Sequence, residues 1–213
     1  MLPSLDLEQY ILDHIDSEDS VLTELTRQTY LKVLRARMLS GHVQGQLLYL
    51  LVKLLKPRRI LEIGTFTGYS AICMAKGLPQ DGLIHTIEIN DELSPMIDSF
   101  IAKSGNQHRI QLHIGSALDI VPTLDETFDL IFMDGDKREY PAYYQLVFDR
   151  LRPGGVILAD NVLWDGKVVA PLDPNDRYTK GILDFNDMVH ADSRVEKVIL
   201  PIRDGITLIR KKD

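Results

Sequence analysis

Residues 129–140 read DLIFMDGDKREY. Four apolar residues, Leu130 to Met133, stop at Asp134, and Asp136 and Lys137 follow around Gly135. A short apolar run that ends in a charged turn reads as a parallel strand buried on both faces, its carboxyl end opening into a polar cluster. The cluster itself has three readings: a solvated loop, the start of a helix, or a site.

Outward from this stretch the same rhythm repeats. RILEI from 59, LIHTIEI from 83, IQLHI from 110, FDLIFM from 128 and GVILAD from 155 are apolar runs of strand length with helical segments between them. Such alternation predicts an α/β fold, a Rossmann-like doubly wound sheet with helices on both faces. Before the first strand, apolar residues at helical spacing (Leu5, Leu7, Ile11, Leu12 and Ile15; Leu22, Leu25, Leu31 and Leu34) predict helices over 4–15 and 21–37, and GQLLYLLVKLLK predicts a third. Residues 1–54 are thus expected to be N-terminal helices preceding the core sheet of one domain, 1–213. At the far end, RVEKVILPIRDGITLIRK gives two strand-like runs joined through Asp204-Gly205, a hairpin that makes one terminal strand antiparallel. APLDPNDRY, 170–178, reads as a surface loop or flap.

With 213 residues, 45% of them hydrophobic and 26% charged, the chain can bury a sizeable core. A formal net charge of -7 argues against a grip on nucleic acid, which needs clustered Lys and Arg. The one cysteine, Cys73, can form neither an internal disulfide nor a cysteine-only metal site. No apolar run approaches membrane-spanning length, and the first twenty residues are acidic where a secretory signal would be basic. The expected location is the cytoplasm.

In doubly wound sheets ligands sit outside the carboxyl ends of the strands. The first strand ends in LEIGTFTGYSA, where Gly64 and Gly68 permit close backbone approach and Tyr69-Ser70-Ala71 can open a helix. The G-x-x-x-G spacing differs from the G-x-G-x-x-G of dinucleotide binders. The second strand ends in Glu88, placed either as a surface carboxylate or as an acceptor for two ribose hydroxyls; the third brings Gly115, Ser116 and Ala117. The fourth and fifth end in Asp134, Asp136 and the pair Asp160-Asn161. Any single Asp there reads equally well as a helix cap. Together they form an oxygen cluster that suits a hard divalent cation and suits zinc poorly, and that without one would repel itself.

In order along the chain, MLSGHVQGQ, LEIGTFTGYSA, IEIN, FMDGDKREYPAYY, RPGGVILADNVLWDGKVV and LPIRDGITLIRK resemble the cation-dependent class I O-methyltransferases that use S-adenosylmethionine. That group contains caffeoyl-CoA O-methyltransferase and, more distantly, catechol O-methyltransferase. The resemblance covers nearly the whole chain from about Arg37 onward and implies a seven-stranded sheet, mostly parallel with an antiparallel last strand.

It further implies roles, position by position. Asp134, Asp160 and Asn161 match metal ligands, for Mg²⁺ or else Mn²⁺ or Ca²⁺. Lys137 matches the general base of catechol-type relatives, with Asp134 beside it in the catalytic centre. Met38, Ser40, Glu62, Gly64, Ser70, Glu88, Ala117, Asp134 and Asp136 match positions that hold S-adenosylmethionine, and an acid at Asp136 favours the caffeoyl-CoA type. Trp164 walls the substrate pocket or merely packs, and Arg177 and Lys180 either meet an anionic acceptor or belong to a solvated flap. The implied acceptor is a small hydroxylated aromatic with vicinal hydroxyls, and the implied assembly a homodimer. Two other classes remain open: a nucleotide-dependent oxidoreductase on a related sheet, and a non-catalytic protein that keeps the fold.

Overall fold

A computed structural model describes residues 5–213. Position 4, expected in the first helix, lies outside them. The elements are α1 (Leu5–Asp13), α2 (Ser20–Lys32), α3 (Gly41–Leu55), β1 (Arg59–Ile63), α4 (Tyr69–Gly77), β2 (Leu83–Glu88), α5 (Ser94–Lys103), β3 (Ile110–Ile114), α6 (Ala117–Ile120), β4 (Phe128–Met133), α7 (Tyr140–Phe148), β5 (Leu151–Asp160), α8 (Arg177–Ala191), β6 (Val195–Leu200) and β7 (Ile206–Lys211). The strands form one seven-stranded sheet in the order β3-β2-β1-β4-β5-β7-β6.

The chain divides into two compact units, Arg59–Gly64 with Ser116–Asp213, and the residues up to Arg58 with Thr65–Gly115. In the first, β1, β4 and β5 run parallel, so Ile63, Met133 and Ala159 bring three carboxyl ends level. Their side chains are almost wholly buried, which is why they read as unbroken apolar runs. β7 pairs antiparallel with both β5 and β6. Helices α7 and α8 pack on each other, with Phe185 of α8 set edge-on to Tyr140 and Tyr144. In the second unit β2 and β3 are parallel, α3 packs along α4, and Leu22, Leu25, Leu48 and Val52 are core residues.

Four local expectations need correction. The helix expected over 21–37 stops at Lys32: Val33 is extended, Arg35 is left-handed at φ 57°, and a 3₁₀ turn covers Ala36–Met38. β5 begins at Leu151 rather than Gly155, and its pairing with β4 shifts register between Phe128 and Leu130. The β6–β7 connection has Arg203 and Gly205 left-handed, at φ 52° and 87°, and runs from Pro201 to Gly205 instead of turning on two residues. The segment read as a loop through 178 ends at Asp176, whose carboxylate accepts from Thr179 N at 3.0 Å and caps α8.

Candidate active site

β4 delivers Asp134 to its tip, and Gly64 makes the delivery possible. Gly64 is left-handed at φ 98°, and a Cβ there would sit 2.3 Å from the Asp134 carbonyl oxygen. Asp134 N–H donates to Ile63 O at 2.8 Å, which locks the two strand exits together. The glycine read from sequence as room for a ligand is first of all room for the Asp134 backbone.

Three residues on, Lys137 is buried, and its Nζ donates to Asp134 Oδ1 at 2.7 Å and to the Tyr140 hydroxyl at 2.6 Å. That hydroxyl in turn reaches Asp160 O at 2.8 Å and Met133 O at 3.0 Å. Tyr140 is fully buried and was absent from the sequence-level candidates. Its only signal is the spacing K-x-x-Y, which on a helical turn places it beside Lys137.

At the tip of β5, Asp160 is buried, and its Oδ1 accepts the Asn161 N–H at 2.8 Å. Asn161 is left-handed at φ 60°, a conformation that Asn tolerates better than most residues. The β6–β7 connection secures the next turn: Val162 N donates to Gly205 O at 3.2 Å and Leu163 N to Asp204 O at 2.9 Å. Burial pushes the Asp134 carboxyl up to about 6; the Asp160 charge adds to the rise, and Lys137 and Arg203 oppose it.

The structure thus gathers Asp134, Lys137, Asp160 and Asn161. The first, third and fourth offer only oxygen ligands, two carboxylates and an amide, and at Asp134 burial outweighs the opposing charge of Lys137. That donor set fits a hard divalent cation. Among the described residues no three His, Cys, Asp or Glu side chains form a metal cluster, so a cation site here would also have to draw on the amide of Asn161.

Asp136 has other partners. It caps the 3₁₀ turn Lys137–Glu139 by accepting Arg138 N at 2.9 Å, and it takes the Arg138 guanidinium in a two-pronged pair. Arg138 holds the Asp136 carboxyl below the usual carboxylate range. The guanidinium lies 4.9 Å from the Tyr178 ring, which stacks on Trp164 at 6.3 Å. Lys180, read either as meeting an anionic acceptor or as part of a solvated flap, bonds both oxygens of Asp184 at 2.7 and 2.8 Å one helical turn away. Of the other positions in this unit, Glu62 is fully buried in β1, and Ala117 is buried at the head of α6.

In the second unit Glu88 ends β2 and is buried, with Oε2 accepting Phe66 N at 2.7 Å and Oε1 accepting Asn90 N at 2.9 Å. Burial raises its pKa against those amides. The backbone amides of Ile89 and Thr65 also bond the carboxylate. Ser70 is buried in the first turn of α4, which Gly68 opens at φ 94°. Ser40 is buried just ahead of α3, and Met38 is 52% exposed in the preceding 3₁₀ turn. His85 and His113 pair with each other, Nδ1 to Nε2 at 3.0 Å, in keeping with a structural role.

Residues 13–212 match the family model described as O-methyltransferase. The chain belongs to the O-methyltransferase family. Relatives include caffeoyl-CoA O-methyltransferase 1 of Arabidopsis thaliana, 38% identical over 99% of this chain and 86% of that one. Among solved structures, the O-methyltransferase TomG of Streptomyces achromogenes, in complex with SAM and involved in tomaymycin synthesis, is 34% identical with a TM-score of 0.91 over 98% of this chain and 96% of its own. An O-methyltransferase from Bacillus cereus in complex with SAH is 33% identical at TM-score 0.91, over 97% of each chain. As an O-methyltransferase of the caffeoyl-CoA-like type, the protein is an enzyme, and the oxidoreductase and scaffold alternatives fall away.

Proposed function

We propose that this O-methyltransferase moves the methyl group of S-adenosylmethionine to one of two adjacent hydroxyls on a catechol-like or phenylpropanoid molecule, with a divalent cation, Mg²⁺ ahead of Mn²⁺ or Ca²⁺, as cofactor. The observation that carries this reading is the set of oxygens at the tips of β4 and β5: the Asp134 carboxyl, pushed up to about 6 by burial even with Lys137 bonded to it, the buried Asp160, and the Asn161 amide that follows it. Burying such a set costs stability, and a site that binds charge explains the expense.

A cation held by Asp134, Asp160 and Asn161 would supply Lewis-acid polarisation of the acceptor's neighbouring oxygens. The rest is done by this chain. Lys137, as the neutral amine left once its ammonium has shed a proton to solvent, accepts the hydroxyl proton at Nζ, and the two carboxylates fix where the reacting oxygen lies. Transfer of a methyl from a sulfonium to a phenolate cancels both charges, so no further acid or base is required, and none of the six histidines is needed.

For the cosubstrate, the Glu88 carboxylate at the end of β2 accepts the ribose hydroxyls. Met38, Ser40, Glu62, Gly64, Ser70, Ala117, Asp134 and Asp136 line the remainder, and Asp136 shares its carboxylate between Arg138 and the cosubstrate's amino group. The name of the Arabidopsis relative supports a phenylpropanoid acceptor.

The decisive measurement is transfer of labelled methyl from S-adenosylmethionine to a panel of vicinal dihydroxy aromatics, with Mg²⁺ and with excess chelator. Transfer should vanish with chelator and return with Mg²⁺. Undiminished transfer in chelator, or equal transfer to isolated hydroxyls, would overturn the reading.

The enzyme is further proposed to act as a cytoplasmic homodimer, without nucleic-acid or membrane partners. Among the described residues no helix is long and apolar enough to cross a membrane. Leu22 and Leu25 of α2 belong to the core, whereas Leu31, Leu34 and Leu54 are 67%, 90% and 77% exposed. These exposed leucines support an isologous contact. Sedimentation should give a dimer at micromolar concentration; a monomer would remove this part.

A further inference from the structure

Lys137 has two polar partners, and the cation reading would take one of them away. Asp134 is assigned to the cation, so the 2.7 Å bond from Lys137 Nζ to Asp134 Oδ1 is one the ammonium must share or lose on loading. The other partner is the Tyr140 hydroxyl, 2.6 Å away. We propose that Tyr140 is the positioning residue of this site, a fixed anchor that keeps the Lys137 amine beside the strand tips when Asp134 is occupied. The proposal rests on the cation-dependent reading and adds to it a residue outside the assigned ligand and base set.

The geometry favours Tyr140 because its own attachments are immobile. Its hydroxyl proton has two carbonyl acceptors, Asp160 O at 2.8 Å and Met133 O at 3.0 Å. Met133 closes β4 and Asp160 closes β5, so one hydroxyl also ties together the strand ends that carry Asp134 and Asn161. Backbone carbonyls at the ends of paired strands do not change partner when a side chain is taken up by a ligand. The Tyr140 ring is fully buried, sits edge-on to Phe185 with centroids 5.3 Å apart, and lies 4.6 Å below the Lys137 ammonium, where the ring face attracts a cation. A phenylalanine at 140 would keep the packing and remove only the oxygen.

A four-member cycle tests this: wild type, Tyr140→Phe, Lys137→Met and the double variant, with Tyr144→Phe as the control. Tyr144 lies on the same helix and gives its hydroxyl to Asp192 at 2.9 Å. Tyr140→Phe should lower kcat by about 10- to 100-fold with KM for the acceptor within about twofold, because a positioned base acts in the transition state more than in binding. In the Lys137→Met background the same change should have no further effect on kcat. Tyr144→Phe should leave kcat within about twofold of wild type, whatever it does to the melting temperature.

Calorimetric titration with Mg²⁺ supplies a readout apart from turnover: Tyr140→Phe should bind the ion several-fold more weakly, because the strand tips lose their tie. If Tyr140→Phe does not fold, amine acetylation of the wild type decides. Lys137 should remain among the slowest-labelled lysines with and without Mg²⁺, and labelling at the rate of exposed lysines once Mg²⁺ is added would show that no anchor holds it. Wild-type kcat in Tyr140→Phe, or an equal loss in the Lys137→Met background, overturns the anchor. Wild-type turnover that persists in chelator overturns instead the cation reading beneath it.

Discussion

Two acid–base pairs interleave within five residues, and they meet opposite fates. The inner pair, Asp134–Lys137, is drawn into the protein at the end of β4, with side chains only 19% and 8% exposed. The outer pair, Asp136–Arg138, stays at the surface, its guanidinium spread over Tyr178. Burial pushes the Asp134 carboxyl up despite its lysine, whereas the Arg138 guanidinium draws Asp136 down. The same kinds of charge thus respond in opposite directions because one pair has given up its water and the other has not. A protein optimised for stability alone would keep both outside; the proposed site accounts for retaining the inner one.

The sharpest way to break this comparison is to remove a charge from the inner group. Asp160→Ala should reduce turnover to background while S-adenosylmethionine still binds, measured by labelled transfer and calorimetry on the same preparation; retained turnover would mean that the buried carboxylates serve structure only. Next in size, Lys137→Ala should lower kcat by about 10²- to 10⁴-fold, the range for a general base. Unchanged kcat would leave deprotonation to the other groups of the site.

A third change reaches the inner pair from behind. A Cβ on Gly181 of α8 would lie 2.2 Å from Lys137 O and 2.9 Å from Arg138 Cα, so the helix rests on bare backbone there. Gly181→Ala should cost about 1–3 kcal/mol in chemical denaturation, as overpacking does, and lower kcat with it. A neutral result would show that α8 can retreat without disturbing Lys137. Smallest of all, Arg138→Ala should shift the melting temperature by less than about 2 °C, since exposed ion pairs contribute little. A shift much larger than that would erase the distinction between inner and outer.

Legibility in the sequence follows the same divide between local and tertiary causes. β1 and β4 fall on the runs read for them because strands buried on both faces are mostly apolar, with Glu62 and Asp129 as single interruptions. Asp134, Asp160 and Asn161 stand out in the sequence because strand ends in such a sheet have one address, and the structure sets them at or just past the ends of β4 and β5. The end of α2 was missed since no Gly or Pro announces Val33, and the early start of β5 was hidden behind Pro153 and Gly154, which read as a turn. Tyr140 could not be told from a core tyrosine, because what distinguishes it is two carbonyls on different strands. Gly181 looks like a weak helix residue until the turn beneath it is seen. The start of α8 was available in the sequence: Asp176 ahead of the Arg177 helix is an ordinary N-cap signal, passed over in favour of the prolines before it.

The order of the last strands carries a consequence for how the protein is made. β7 emerges from the ribosome after every other strand, yet it belongs inside the sheet, with β5 on one side and β6 on the other. Until it arrives, β5 offers an unpaired edge and β6 has no neighbour at all, while the turn at Asp204-Gly205 that secures the backbone after Asn161 does not yet exist. From the completion of β5 at Asp160 until β7 arrives at Ile206 the nascent chain therefore carries an open, apolar sheet edge, and the backbone after Asn161 becomes fixed only when β7 pairs.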